Sequence, residues 1–189
     1  HEGHVGQARW DGARRLRRGR LQQESEHEGR HLPFFFRIAS MSKPITGVAI
    51  LMLMEEGKLR LTDPVSRFIP EFKNPKVAMP RTTGLPPPAT PAGPPREPEI
   101  YTVPAAREIT IRDLMCHTSG LAYGLFPLTP VDGMYTKEKL LDHTQSLDSM
   151  LDRLLKLPLA AQPGERWMYS IAVDVQGKLI EALSGQTLD

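Results

Sequence analysis

From Met41 to Glu56 apolar residues return at three- and four-residue steps, and Ile45, Val48, Ala49, Met52 and Leu53 share one face. That period predicts an α-helix. Pro44 falls in its first turn, where an amide has no helical partner, and Gly57 is placed to stop the helix in a left-handed cap. KLRLTDPVSRFIPEF then reads as a short extended piece, a turn at Asp63-Pro64 and a brief helix ended by Pro70. The segment from Met79 to Pro98, with PRTTGLPPPATPAGPPREP, is a Pro-rich surface insertion unsuited to helix or inner strand. In REITIRDLMCHTSGL, Thr110 is expected to cap a short helix that turns Leu114 and Met115 inward and closes at Gly120. A longer helix is predicted from about Lys137 to Leu157, with Leu140, Leu141, Leu147, Met150, Leu151, Leu154 and Leu155 spaced for burial. QPGERWMYS makes a turn at Pro163-Gly164 and an extended piece, and Val173 to Ser184 forms a last helix capped by Gly185. No internal repeat is visible.

This patterning begins only at Phe34. Residues 1–33 are rich in Arg, Gly, Gln, Glu and His, and contain no Lys, Ile, Phe or Tyr. Three readings stand: a basic arm for nucleic acid, a solvated and weakly helical tail, or a stretch translated out of frame. The arm's Arg-rich stretch ARRLRRGRLQQESEHEGRH has no Trp, Tyr or Phe interleaved to stack on bases, so no nucleic-acid partner is expected. The expected organisation is therefore an atypical Arg-rich segment over 1–33 and one domain over 34–189. The 189 residues, 40% hydrophobic and 24% charged, suffice for one globular core. The single cysteine, Cys116, excludes an internal disulfide framework and fits a reducing compartment. No run reaches the ~18 apolar residues of a membrane span, and no secretory signal pattern opens the chain. A cytoplasmic protein is favoured, unless a signal lies upstream.

Chemistry is concentrated at Ser40 and Lys43, at the predicted helix start. Three residues apart, their side chains share a face and can meet. A serine there lies near free amides and the positive end of the helix dipole, both favourable to an oxyanion. A lysine buried against apolar neighbours loses basicity and can serve as a base. From these residues alone, Ser40 as a cap with a solvated Lys43 is the preferred reading. Trp167 and Tyr169, at period two, likewise read as one face of a half-buried strand. A Ser/His/Asp triad through His117 and Asp113 is the other arrangement to weigh, but the chain has no G-x-S-x-G elbow. His117 and Thr118 are read as hydrogen-bonding a loop beneath the site, with Ser42, Ser119 and Ser170 as supporting hydroxyls. The six histidines show no zinc spacing, so neither metal nor cofactor is expected.

FRIASMSKPITGVAILMLMEEGKLRLTDPVSRFIPEF resembles the nucleophile-helix region of the serine β-lactamases and penicillin-recognising hydrolases. ITIRDLMCHTSGL and PGERWMYSIAVDVQGKLIEALSG follow in the order such proteins carry their matching blocks. The likeness is to the class C-type branch, which includes the family VIII carboxylesterases. It implies an α+β fold of the β-lactamase/transpeptidase type, here mainly its helical region with the sheet incomplete. It also implies catalytic roles: Ser40 as acylating nucleophile, Lys43 as its base or as the cation that acidifies the tyrosine, and Tyr169 as proton shuttle. The expected activity is a serine hydrolase acting on a small-molecule ester or amide, first of all a carboxylesterase. A β-lactamase, a D-amino-acid peptidase and a catalytically inactive piece are the alternatives.

Two departures qualify that expectation. β-Lactamases of this branch usually carry Asn two residues after the tyrosine, to hold the substrate's amide. Here Ile171 stands at that position, which favours esters. The sequence also ends at EALSGQTLD, before the K-T-G, H-x-G or W-G-G-like strand that supplies a second oxyanion amide. A shortened copy, with an apolar helix face exposed where the sheet would pack, is the resulting expectation.

Overall fold

The computed structural model describes residues 38–81 and 99–188. The Arg-rich 1–33 segment and most of the Pro-rich stretch therefore lie outside the described residues. The elements below belong to the unit Ser40–Asp189. In chain order they are α1 (Ser42–Glu55), β1 (Lys76–Pro80), β2 (Ile100–Pro104), α2 (Ile111–Met115), α3 (Pro130–Lys137), α4 (Leu147–Leu154) and α5 (Ala172–Ser184).

Helix α5 is the hub, with α1, α2 and α4 packed against it. It buries Ala172, Val175 and Leu179 against Ile50 and Leu53 of α1, Leu114 of α2, and Met150, Leu151 and Leu154 of α4. One buried polar group crosses this core: Gln176 donates its amide to the Leu114 carbonyl at 3.1 Å, satisfying both at the end of α2. Gly185 closes α5 at φ 71°, as the sequence predicts. Gly57, at φ 73°, follows α1 in the same way.

The face of α1 that the apolar period marks out is covered by the described core only at Leu53 and, in part, at Ala49. Thr46, Ile50 and Leu53 are buried, whereas Ile45, Val48 and Met52 are exposed by 63%, 55% and 56%. A helix apolar on every side signals burial on every side. Here only one side has a partner among the described residues.

Four features differ from the sequence reading. Of the helix expected over Lys137–Leu157, only Leu147–Leu154 is helical, and residues 138–146 form a turn after α3 ends at Lys137. Lys139 turns left-handed at φ 52°, and Asp142 accepts from the amide and hydroxyl of Thr144, which ends any helical run there. Ser146 then caps α4 through the Ser149 amide. Helix α3 is absent from the period reading, and a capping box starts it: Asp132 accepts from the amide and hydroxyl of Thr129, with Pro130 in the first turn. Strand β1 runs through Met79 and Pro80, two residues into the stretch expected as loop. It pairs antiparallel with β2, Val77 opposite Val103. The brief helix expected before Pro70 is two 3-10 turns, Val65–Arg67 and Pro70–Phe72. Pro70 opens the second of these.

Candidate active site

Ser40 lies in a 3-10 turn, Ala39–Met41, that leads straight into α1. Met41 occupies the N-cap position, and no side chain caps the helix. Ser40 Oγ is engaged elsewhere. It lies 2.8 Å from Tyr169 Oη and accepts from Lys43 Nζ at 3.1 Å. Lys43 Nζ also sits 4.6 Å from the centre of the Tyr169 ring, within cation–π reach. Hydrogen bonding to Lys43, then to Ser40, lowers the Tyr169 pKa below the ordinary phenol value, against a smaller rise from burial. The three residues named from the sequence thus form one hydrogen-bonded cluster.

Tyr169 stands on an irregular segment, not on a strand, and backbone anchors hold that segment. The Met168 amide donates to the His117 carbonyl at 2.7 Å, and the Ile171 amide to Ala122 at 3.2 Å. The His117 ring stacks on Tyr169 at 5.2 Å and 28°, while its Nδ1 meets Ser170 Oγ at 3.2 Å. Burial, then the Lys43 charge, lowers the His117 pKa, so neutral imidazole is the favoured form beside this cluster. His117 and not Gly120 makes the left-handed turn after α2, at φ 55°. Gly120 serves a different end: at φ 81° a Cβ there would run into the Ala161 carbonyl oxygen, so the 117–122 strip can lie against 160–161 only without a side chain.

Asp113 has no contact with His117 that would make a triad. Its carboxylate takes a two-pronged bond from Arg107 and accepts from the amide and hydroxyl of Thr110 and the hydroxyl of Thr118. Burial raises its pKa, but these donors outweigh burial and hold it at about 2. Its work is to tie residues 107–118 together beneath the site. Ile171 is 1% exposed and belongs to the core beside α5, so that position offers no polar group to a substrate. Tyr123 meets Tyr169 edge-on at 5.1 Å, and Trp167 lies 6.4 Å from it. Sequence reasoning passed over Tyr123 and Phe126 as site residues. Their three-residue spacing just after the HTSGL block was the available signal.

Residues 34–189 match the family described as Beta-lactamase. The chain belongs to that family. Among its relatives, Protein Rv1367c of Mycobacterium tuberculosis is 42% identical over 153 residues, covering 81% of this chain and 34% of that protein. Esterase EstB of Burkholderia gladioli is 36% identical over 157 residues, covering 81% and 33%. Among solved structures, EstCE1, described as a hydrolase with promiscuous acyltransferase activity, superposes with TM-score 0.59 at 32% identity. That superposition covers 81% of this chain and 34% of EstCE1. The fold is therefore of the β-lactamase/transpeptidase type, and its kin are esterase-like. The chain spans about a third of the length of each of these proteins.

Proposed function

We propose that this member of the Beta-lactamase family is an acyl-transferring serine hydrolase whose substrates are small esters. The observation that carries the reading is the contact of Ser40 Oγ with both Tyr169 Oη and Lys43 Nζ. A serine hydroxyl is a weak nucleophile until a base takes its proton. Tyr169, acidified by Lys43, is partly ionised at lower pH than a free phenol and stands at proton-transfer distance.

In the proposed cycle Tyr169 Oη removes the Ser40 proton as Oγ attacks the ester carbonyl carbon. The oxyanion that forms lies at the head of α1, where the helix dipole is positive. When the tetrahedral species collapses, the C–O bond to the alcohol breaks, and Tyr169 returns the proton to the departing oxygen. Water then repeats the sequence on the acyl-serine, releasing the acid and restoring Ser40. Lys43 stays cationic throughout and stabilises the phenolate. EstB is named an esterase, and the buried Ile171 supplies no amide for a β-lactam side chain; both favour esters.

The test is incubation with 4-nitrophenyl acetate and, separately, with a fluorescent penicillin, followed by intact-mass and peptide mapping. An acetyl adduct on Ser40 that disappears in Ser40→Ala supports the reading. A penicilloyl adduct formed faster than the acetyl one would move the assignment to a β-lactamase or peptidase. No adduct with either reagent would make the chain a catalytically inactive member of its family.

A further inference from the structure

Tyr169 is at once the partner of Ser40 and one wall of a cavity of about 230 Å³. Tyr123, Phe126 and Leu128 contribute from the loop before α3, and Trp167 and Met168 from the segment leading to Tyr169. Tyr123 stacks on Phe126 at 6.3 Å and turns its edge to Tyr169. Phe126, Leu128 and Trp167 remain 52%, 76% and 66% exposed. Contiguous apolar surface beside a polar reactive cluster marks a ligand subsite.

The polar groups at this cavity have other duties. Asp132, 3% exposed, accepts from the amides of Tyr123, Gly124 and Thr129 and from the Thr129 hydroxyl. Arg166 donates to the Ala160 carbonyl at 3.3 Å. The loop is also pinned by shape: Gly124 is left-handed at φ 79°, and a Cβ there would meet Tyr135 Cβ at 2.7 Å. The cavity is therefore built in advance, and its walls are mainly aromatic and aliphatic. An apolar cavity of about 150 Å³ accepts benzene. This one has room for a six-membered ring and the carbons that join it to an ester group.

We infer that the cavity formed by Tyr123, Phe126, Leu128 and Trp167 beside Tyr169 binds an uncharged aromatic ring of the ester substrate, with Phe126 and Trp167 setting that preference. The inference rests on the acyl-transfer reading of Ser40 and names its substrate class. The ring belongs to the acyl or to the alcohol part, and the two are separated by choice of ester.

Ser40 acylation is timed by intact mass with vinyl acetate, vinyl phenylacetate and phenyl acetate, each rate divided by that ester's rate with imidazole. At least one ring-bearing ester is expected to lead vinyl acetate by about tenfold, a usual return for filling an apolar pocket. That ratio should fall several-fold in Phe126→Ala and in Trp167→Ala, whose exposed side chains carry little of the core. An equal rate for all three esters, or a ratio unchanged in both variants, overturns the subsite while leaving the chemistry at Ser40 standing. A second arm needs no acylation. In a Trp10→Phe background, phenylacetamide is titrated against Trp167 fluorescence. Saturable binding weakened in Phe126→Ala supports the subsite even if Ser40 takes no acyl group. Absence of saturable binding overturns it.

Discussion

Ser40 Oγ and Tyr169 Oη lie 2.8 Å apart across 129 positions of sequence, with Lys43 touching both residues. The phenol and the ammonium are therefore coupled, and the coupling has a sign. Lys43 lowers the Tyr169 pKa, so Lys43→Met should raise it. Tyrosinate absorbance near 295 nm, taken as the difference from Tyr169→Phe, should show Tyr169 titrating below the ordinary value of about 10. In Lys43→Met the titration should move to higher pH, and Ser40 acylation should become slow at neutral pH. An unmoved titration would remove Lys43 from the proposed role.

Tyr169→Phe keeps the ring, its stack on His117 and the Lys43 contact, and deletes only the hydroxyl. Acylation of Ser40 by 4-nitrophenyl acetate should fall by about 10²–10⁴-fold, the usual span for a lost general base. Thermal stability should change little. A rate within threefold of the parent would leave Tyr169 without a catalytic part.

The His117 pKa is lowered in the folded protein, first by burial and then by Lys43. The unfolded chain binds this proton more readily, so folding stability falls as pH drops through about 6.5, the ordinary histidine value. Above that pH the contribution is fully present. His117→Gln should flatten this part of the urea-unfolding profile between pH 7 and pH 5. A profile of unchanged slope would show that His117 does not titrate differently on folding.

Asp113 behaves as the opposite kind of group, a carboxylate kept ionised in the fold at about 2. Its stabilising effect is present above about pH 4 and is lost as pH falls toward 2. Asp113→Ala should cost roughly 2–4 kcal/mol, because Arg107 and the Thr110 amide lose their acceptor together. Arg107→Ala leaves the carboxylate its bonds from Thr110 and Thr118 and should cost less. Urea titrations at pH 7 and pH 3 distinguish the two.

The two sides of α1 should respond differently to truncation. Ile50→Ala, at 0% exposure, should cost about 2–5 kcal/mol, whereas Val48→Ala, at 55%, should stay within about 0.5 kcal/mol. Equal losses would mean that the face bearing Val48 is covered in solution.

Legibility followed the range of the interaction. Caps and stops that act within four residues could be read directly: the Thr110 cap and Gly185 stand where the sequence places them. The 138–146 turn was misread as helix because leucine spacing continued across it, while the local bonds of Asp142 and Thr144 decided otherwise. The resemblance named Ser40, Lys43 and Tyr169 together, yet the capping and strand alternatives are answered only by the tertiary structure. Tyr123, Phe126 and Trp167 went unread as a group because nothing local joins the 123–128 loop to the 166–169 segment.

By itself the sequence determined the family, the serine–lysine spacing at the start of α1, the short caps and the apolar stock of the core, because each depends on neighbours along the chain. The tertiary structure alone decided which face of α1 is buried, that Asp113 serves Arg107 and not His117, and that Tyr169 closes on Ser40. Those outcomes depend on packing around α5 and on hydrogen bonds between distant segments, and no period along the chain encodes them.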